Sequence, residues 1–131
     1  MAINKATRNQ VYNKFKGHCS YCGREITLKE MQVDHAHPKH LGHFYESSAM
    51  KEVYKCKGDN VDALENLMPA CRRCNHYKRG DNIEGFREKL LTLHERLSRN
   101  YIYKVAKDFG IAIEVPFDGL FYFEKLSTEQ V

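Results

Sequence analysis

Apolar positions recur along this chain with two periods, and each change of period marks an element. Between residues 5 and 16, Val11 and Phe15 fall about one turn apart in an otherwise polar stretch. Gly17 follows, which predicts a helix with a glycine stop. Met31-Gln-Val-Asp-His35 alternates as a short strand does, and Pro38 ends regular structure soon after. Residues 39–63 have no clear period, contain Gly42 and Gly58, and predict a loop or insertion with at most one helical turn. Leu64-Glu-Asn-Leu-Met-Pro69 leads through a second short strand, and Arg72 to Arg79 predicts a helix stopped by Gly80. Farther on, Phe86, Leu90, Leu93 and Leu97 line one helical face. A polar break at Ser98-Arg-Asn100 separates it from a helix carrying Ile102, Val105, Ala106 and Phe109, closed by Gly110. Ile111, Ile113 and Val115 alternate as a strand, and Asp118-Gly119 turns into Leu120-Phe-Tyr-Phe123, so a C-terminal β-hairpin is expected. The aromatic residues of 101–123 are expected in the core. The fold class is α+β, with strand, strand and helix in succession and helices on either side.

The length of 131 residues is one domain's worth of chain. No apolar run approaches the length that spans a bilayer, and Met-Ala-Ile-Asn-Lys-Ala-Thr-Arg lacks the apolar stretch of a signal peptide. The expectation is a cytoplasmic protein whose cysteines are thiolates and not disulfides. Four of its five cysteines form two C-x-x-C pairs, Cys19/Cys22 and Cys71/Cys74, and Cys56 is left over as an ordinary thiol. Four soft thiolates suit a structural zinc site with no open position. Isolated zinc ribbons separate their knuckles by roughly 15–20 residues. The far longer gap here would let zinc staple the start of the domain to the helix after Cys71. The alternative is four free or redox-active cysteines. Residues 1–82 are thus expected to form a zinc-stapled core with an N-terminal helix, and residues 83–131 an extension packed on the same domain.

A net charge of +4 is mild, but its distribution is uneven. Residues 1–24 carry five basic side chains and no acid: Lys5, Arg8, Lys14, Lys16 and Arg24. Residues 71–80 carry four more, Arg72, Arg73, Lys78 and Arg79, again without an acid. Zinc would bring these segments together as a positive patch suited to a phosphate backbone. The alternative is a solvated surface of scattered charges.

Beside the cysteines lie groups able to hydrolyse a phosphodiester. His35 can take a proton, since imidazole titrates near neutrality, and Asp34 and Asn75 offer hard oxygen ligands for a divalent cation. Neighbours on a strand point to opposite faces, so Asp34 and His35 act together only if metal and substrate lie at the strand end.

On these residues the chain resembles the zinc-containing HNH endonucleases, whose pattern runs C-x-x-C, D-H-x-x-P, N, C-x-x-C-[HN]-x-x-K. It is matched by Cys19/Cys22, Asp34-His35-Ala-His-Pro38, Asn66, and Cys71/Cys74-Asn75-His-Tyr-Lys78, over about residues 17–80. The resemblance implies a ββα-metal core and a DNA endonuclease, leaving a 5′-phosphate and a 3′-hydroxyl. It also implies His35 as general base, with Asp34 and Asn75 on the catalytic ion. Asn66 would hold the catalytic loop and orient His35, and Lys78 would contact phosphate or support the site. Small stand-alone proteins of this kind are frequent in phages and bacteria.

Asn75 stands where many members carry histidine, and an amide oxygen favours Mg²⁺ or Mn²⁺ as the catalytic ion. His76 takes that place if the helix register is shifted by one. Arg72, Arg73, Lys78, Arg79 and His37 are the expected contacts to DNA, taken to be double-stranded. His40 and His43 are loop histidines expected in solvent, with contact to phosphate or help to the metal as the alternative, while His18 and His94 are expected to be structural. Tyr122 and Phe123 are expected in the core, with stacking on a base as the alternative. Two other functions compete: a catalytically silent zinc module that binds nucleic acid, and an interaction protein that meets a partner through the C-terminal extension.

Overall fold

The structure, a computed structural model, describes residues 3–38 and 62–129. The loop expected over 39–63 falls mostly outside the described residues, and with it His40, His43 and Cys56. The first helix, α1 (Lys5–Asn13), begins where the Asn4 side chain accepts the Thr7 amide hydrogen at 2.8 Å. Only Val11 of this helix is buried. Its polar side chains supply the rest of the docking. Arg8 donates to the carbonyls of Leu28 (2.7 Å) and Met31 (2.5 Å), Tyr12 to Ile26 (2.7 Å), and Lys14 to Leu67 (2.6 Å). Arg8 and Lys14 are therefore committed to backbone carbonyls. The helix ends in a turn in which Gly17 has φ +80°, and a Cβ there would stand 2.8 Å from the Tyr12 hydroxyl.

Strands β1 (Gln32–His35) and β2 (Leu67–Ala70) pair antiparallel, with Val33 opposite Pro69 and Asp34 opposite Met68. A 3₁₀ turn at Leu64–Asn66 feeds β2, all four residues of which are buried. Helix α2 (Arg72–Lys78) follows directly and packs on β1. It ends at Arg79, which holds a φ of +53°, so the positive-φ residue expected at Gly80 comes one position earlier.

Next come α3 (Ile83–Leu91), α4 (Leu93–Leu97) and α5 (Tyr101–Asp108). The single apolar face expected from Phe86 to Leu97 is divided at Thr92. Its hydroxyl donates back to the Glu88 carbonyl at 2.8 Å, a bond that competes with a straight helix. The expected C-terminal hairpin is absent among the described residues. Residues 111–120 form no strand, and Tyr122–Glu129 is a helix, α6. Its start docks by backbone, Tyr122 and Phe123 donating to the carbonyls of Tyr21 (3.0 Å) and Ser20 (2.9 Å). Phe121 lies edge-on to Tyr21, and Phe123 stacks on Phe121. A run of four apolar and aromatic residues reads as a strand by propensity, but here it is an aromatic wedge.

Two compact units result: Met1–Ile83 with Phe121–Val131, and Glu84–Leu120. The core of the first holds Val11, Tyr21, Ile26, Met31, Leu67, Met68 and Phe121. In the second, Arg87 bonds the Gly119 carbonyl, and Glu114 meets Lys107 at 2.9 Å. The aromatic residues expected in a core there include Tyr101 and Phe109, and both are exposed. No helix among the described residues is long and apolar enough to cross a membrane.

Candidate functional site

The first cysteine pair sits on a tight turn. The Cys19 amide donates to the Arg24 carbonyl at 2.8 Å and the Gly23 amide to the Cys19 carbonyl at 3.0 Å. Gly23 has φ +82°, and a Cβ there would stand 2.8 Å from the Tyr122 ring, so both conformation and space require glycine. Cys71 caps α2, its sulfur accepting the Cys74 amide hydrogen at 3.4 Å. The Ser20 amide donates to the Pro69 carbonyl at 2.8 Å and ties one knuckle to the strand that leads into the other.

The four Sγ atoms of Cys19, Cys22, Cys71 and Cys74 all lie within 4.8 Å of one another, with Cys22 and Cys71 3.9 Å apart. A tetrahedral zinc, with Zn–S bonds of about 2.3 Å, needs sulfurs about 3.8 Å apart. The cluster thus has the geometry to hold a metal and is compatible with structural zinc. The four thiols are also electrostatically coupled. Hydrogen bonds from Cys19 and Cys74 push the Cys22 thiol down to about 3, while bonding to Cys19 and Cys22 pushes Cys74 up. A bound cation would favour the thiolate form of all four.

The second cluster surrounds β1. Asp34 and Lys78 are both buried, at 6 % and 0 % exposure, with Lys78 Nζ 3.0 Å from Asp34 Oδ2. The Tyr21 hydroxyl donates to the same oxygen at 2.5 Å. Burial pushes the Asp34 carboxyl up against the downward pull of the Lys78 ammonium. Burial and the Asp34 carboxylate raise the Tyr21 phenol well above its usual value, so it remains a donor. Lys78 also donates to the His35 carbonyl at 2.9 Å. With its amine fully buried it supports the site from beneath, and it is not available as the expected contact to DNA.

Asn66 accepts the His37 amide hydrogen at 2.8 Å and donates to the His37 carbonyl at 3.0 Å, clamping the segment after β1. The Asn75 amide donates to Gln32 Oε1 at 2.6 Å, which puts Asn75 on the face of α2 turned to β1. His76 instead lines an outer cleft with Arg72 and Arg73. Compared with family models, with curated proteins and with solved structures, the chain matches none.

His35 Nε2 lies 2.9 Å from Asp62 Oδ1. Asp62 and Tyr21 are site residues that sequence reasoning missed. Asp62 stands four residues before Asn66 in a stretch without a period, and Tyr21 lies between the two cysteines of the first knuckle. Neither position carries a local signal beyond its nearness to a motif. Of the remaining expected contacts to DNA, Arg72, Arg73 and Arg79 are exposed and His37 is half-buried. Tyr122 and Phe123 pack on the knuckle and its aromatic neighbours.

Proposed function

We propose that this chain is a DNA endonuclease of the HNH kind, acting on double-stranded DNA with a catalytic Mg²⁺ or Mn²⁺ beside a structural zinc. The reading is carried by the way β1 is gripped from two sides. Lys78 reaches from α2 to the Asp34 carboxylate and the His35 carbonyl, while Asn66 clamps the backbone of His37. The consecutive carboxylate and imidazole of Asp34 and His35 are thereby held at a strand end. The order β1, β2, α2 is that of a ββα-metal core.

His35 is the base in this mechanism. An ionised Asp62 only accepts hydrogen bonds, so His35 Nε2 carries the hydrogen and Nδ1 is left as the basic nitrogen. Asp62 then steadies the ring and the imidazolium that forms when Nδ1 takes a proton from water. On the other face, Tyr21 and Lys78 converge on Asp34 Oδ2, which leaves Oδ1 as the oxygen for a cation. The Asn75 nitrogen is turned to Gln32, so its carbonyl oxygen would serve as the second hard ligand. A bound divalent ion there would stabilise charge on phosphorus and on the departing 3′ oxygen, leaving a 5′-phosphate and a 3′-hydroxyl.

Supercoiled plasmid with Mg²⁺ or Mn²⁺ tests this directly. Wild type should open or linearise the DNA, and His35→Ala should cut about 10²–10⁴-fold more slowly at unchanged DNA affinity. Equal cutting by both proteins would sink the assignment of His35. A second reading has its own observation, because a buried Asp34 ion-paired to Lys78 is also what a purely structural carboxylate looks like. A chain that binds DNA and holds zinc, yet leaves the plasmid supercoiled, would be the catalytically silent module.

A further inference from the structure

Helix α2 has two working faces. Asn75 and Lys78, three residues apart, turn toward β1. Arg73 and His76, three apart, stand on the opposite side, with Arg72 beside them in the first turn, as 3.6 residues per turn requires. That outer face and the first cysteine knuckle enclose a cleft of about 420 Å³, which Arg24 lines from the knuckle side. Glu30 is the acid in its lining. One Glu30 oxygen accepts the Thr27 amide hydrogen at 2.9 Å, so the carboxylate caps its own turn.

The arginines of the described chain differ in what they meet. Arg8 is held by carbonyls, Arg87 and Arg99 by Glu84 and Glu95, and Arg96 by the Lys89 carbonyl. The guanidinium groups of Arg24, Arg72 and Arg73, like that of Arg79 outside the cleft, are exposed and meet no acid or carbonyl among the described residues. Three unneutralised planar donors around one cleft match the oxygens of a phosphodiester, which guanidinium binds in a bidentate manner.

We propose that the cleft between the first cysteine knuckle and the outer face of α2 binds a backbone phosphate of DNA, distinct from the phosphate that reacts at His35. The inference rests on the nucleic-acid reading above and adds a second point of grip to it. A metal in the four-cysteine cluster would fix the geometry of the cleft, because Cys71 lines it and Arg24 follows Cys22 by two residues. The site recognises a backbone and not a base, so its contribution is independent of sequence and sensitive to salt.

The test is fluorescence anisotropy of a labelled DNA duplex with the zinc-loaded protein, titrated at several salt concentrations without Mg²⁺ or Mn²⁺. Arg72→Ala/Arg73→Ala should bind about tenfold more weakly or worse, with a salt slope shallower by about two. Arg24→Ala, on the opposite wall and outside the helix, should weaken binding several-fold and lower the slope by about one. Lys5→Ala/Lys29→Ala removes the same charge as the double arginine variant from exposed positions of the same unit that do not line the cleft, and should change affinity less than about twofold. Equal losses in the cleft and control variants would mean diffuse attraction and overturn the site. Wild-type affinity in the cleft variants would do the same, yet leave the nuclease reading standing if the plasmid is cut. Cleft-dependent binding without cutting would keep the site and reject the nuclease. A wild type that binds no duplex would reject both.

Discussion

The two units of this chain solve the problem of a small core in opposite ways. In Met1–Ile83 with Phe121–Val131, a modest set of apolar side chains is reinforced by polar cross-links. The four cysteines converge, Asp34 and Lys78 pair out of water, and Asn66 grips a backbone in both directions. In Glu84–Leu120 the helices form on pattern, yet many apolar side chains remain outside: Ile102, Phe109, Ile111 and Ile113 are each more than three-quarters exposed. Periodicity specifies a helix, but burial depends on what the helix meets. Buried polar groups tolerate few alternative partners, so the first unit holds its chemistry in one geometry.

The largest effect should come from the metal. Structural zinc contributes apparent binding free energies of about 10–16 kcal/mol, and in a chain of this size binding is coupled to folding. Chelation, or Cys71→Ser, should remove bound zinc and abolish hydrogen-exchange protection in Cys19–Ile26 and Leu67–Lys78, with the smallest change in 84–120. Metal content and exchange mass spectrometry on the same samples would measure this. A zinc-free protein with full protection around the cysteines would show that the cluster is not a staple. Uniform loss over both units would mean that they unfold as one.

The buried ion pair should come next. Removing one partner strands the other charge away from water, which typically costs about 3–5 kcal/mol. Lys78→Met keeps most of the volume and removes the ammonium that faces Asp34 and the His35 carbonyl. Urea denaturation should report a loss of that size. A change below about 1 kcal/mol would show that Asp34 finds another partner or takes up a proton, and that the first unit is less dependent on its polar links.

How much of this was legible in the sequence follows the same division. The knuckles, both strands and α2 were readable because each carries a local signature, and spacing alone brought the four cysteines together as an expectation. The clamp by Asn66 came only from the family resemblance. The commitment of Arg8 and Lys14 to carbonyls was not readable, since a charge on a helix says nothing of the backbone it will meet. Nor were Tyr21 and Asp62, whose partners Asp34 and His35 lie 13 and 27 residues away. The C-terminal hairpin failed for the converse reason. Leu120-Phe-Tyr-Phe123 has strand propensity, but the aromatic surface around Tyr21 offers it better burial as a wedge entering α6.

The smallest effect should be found on α5 and its C-cap, Phe109, and it probes the comparison from the other side. Ile102 and Phe109 are 77 % and 78 % exposed, so changing them forfeits little area already removed from water. Lysine is also at least as good a helix former as isoleucine or phenylalanine, which removes the local objection to the change. Ile102→Lys and Phe109→Lys should therefore each leave stability within about 0.5 kcal/mol of wild type, as surface substitutions usually do. Both should raise solubility by breaking an apolar surface. Urea denaturation beside Lys78→Met would place the three variants on one scale. A loss above about 2 kcal/mol from either of these two variants would mean that this face is covered in solution. The second unit would then hold a core of its own kind, and the contrast with the cysteine-linked unit would become one of degree.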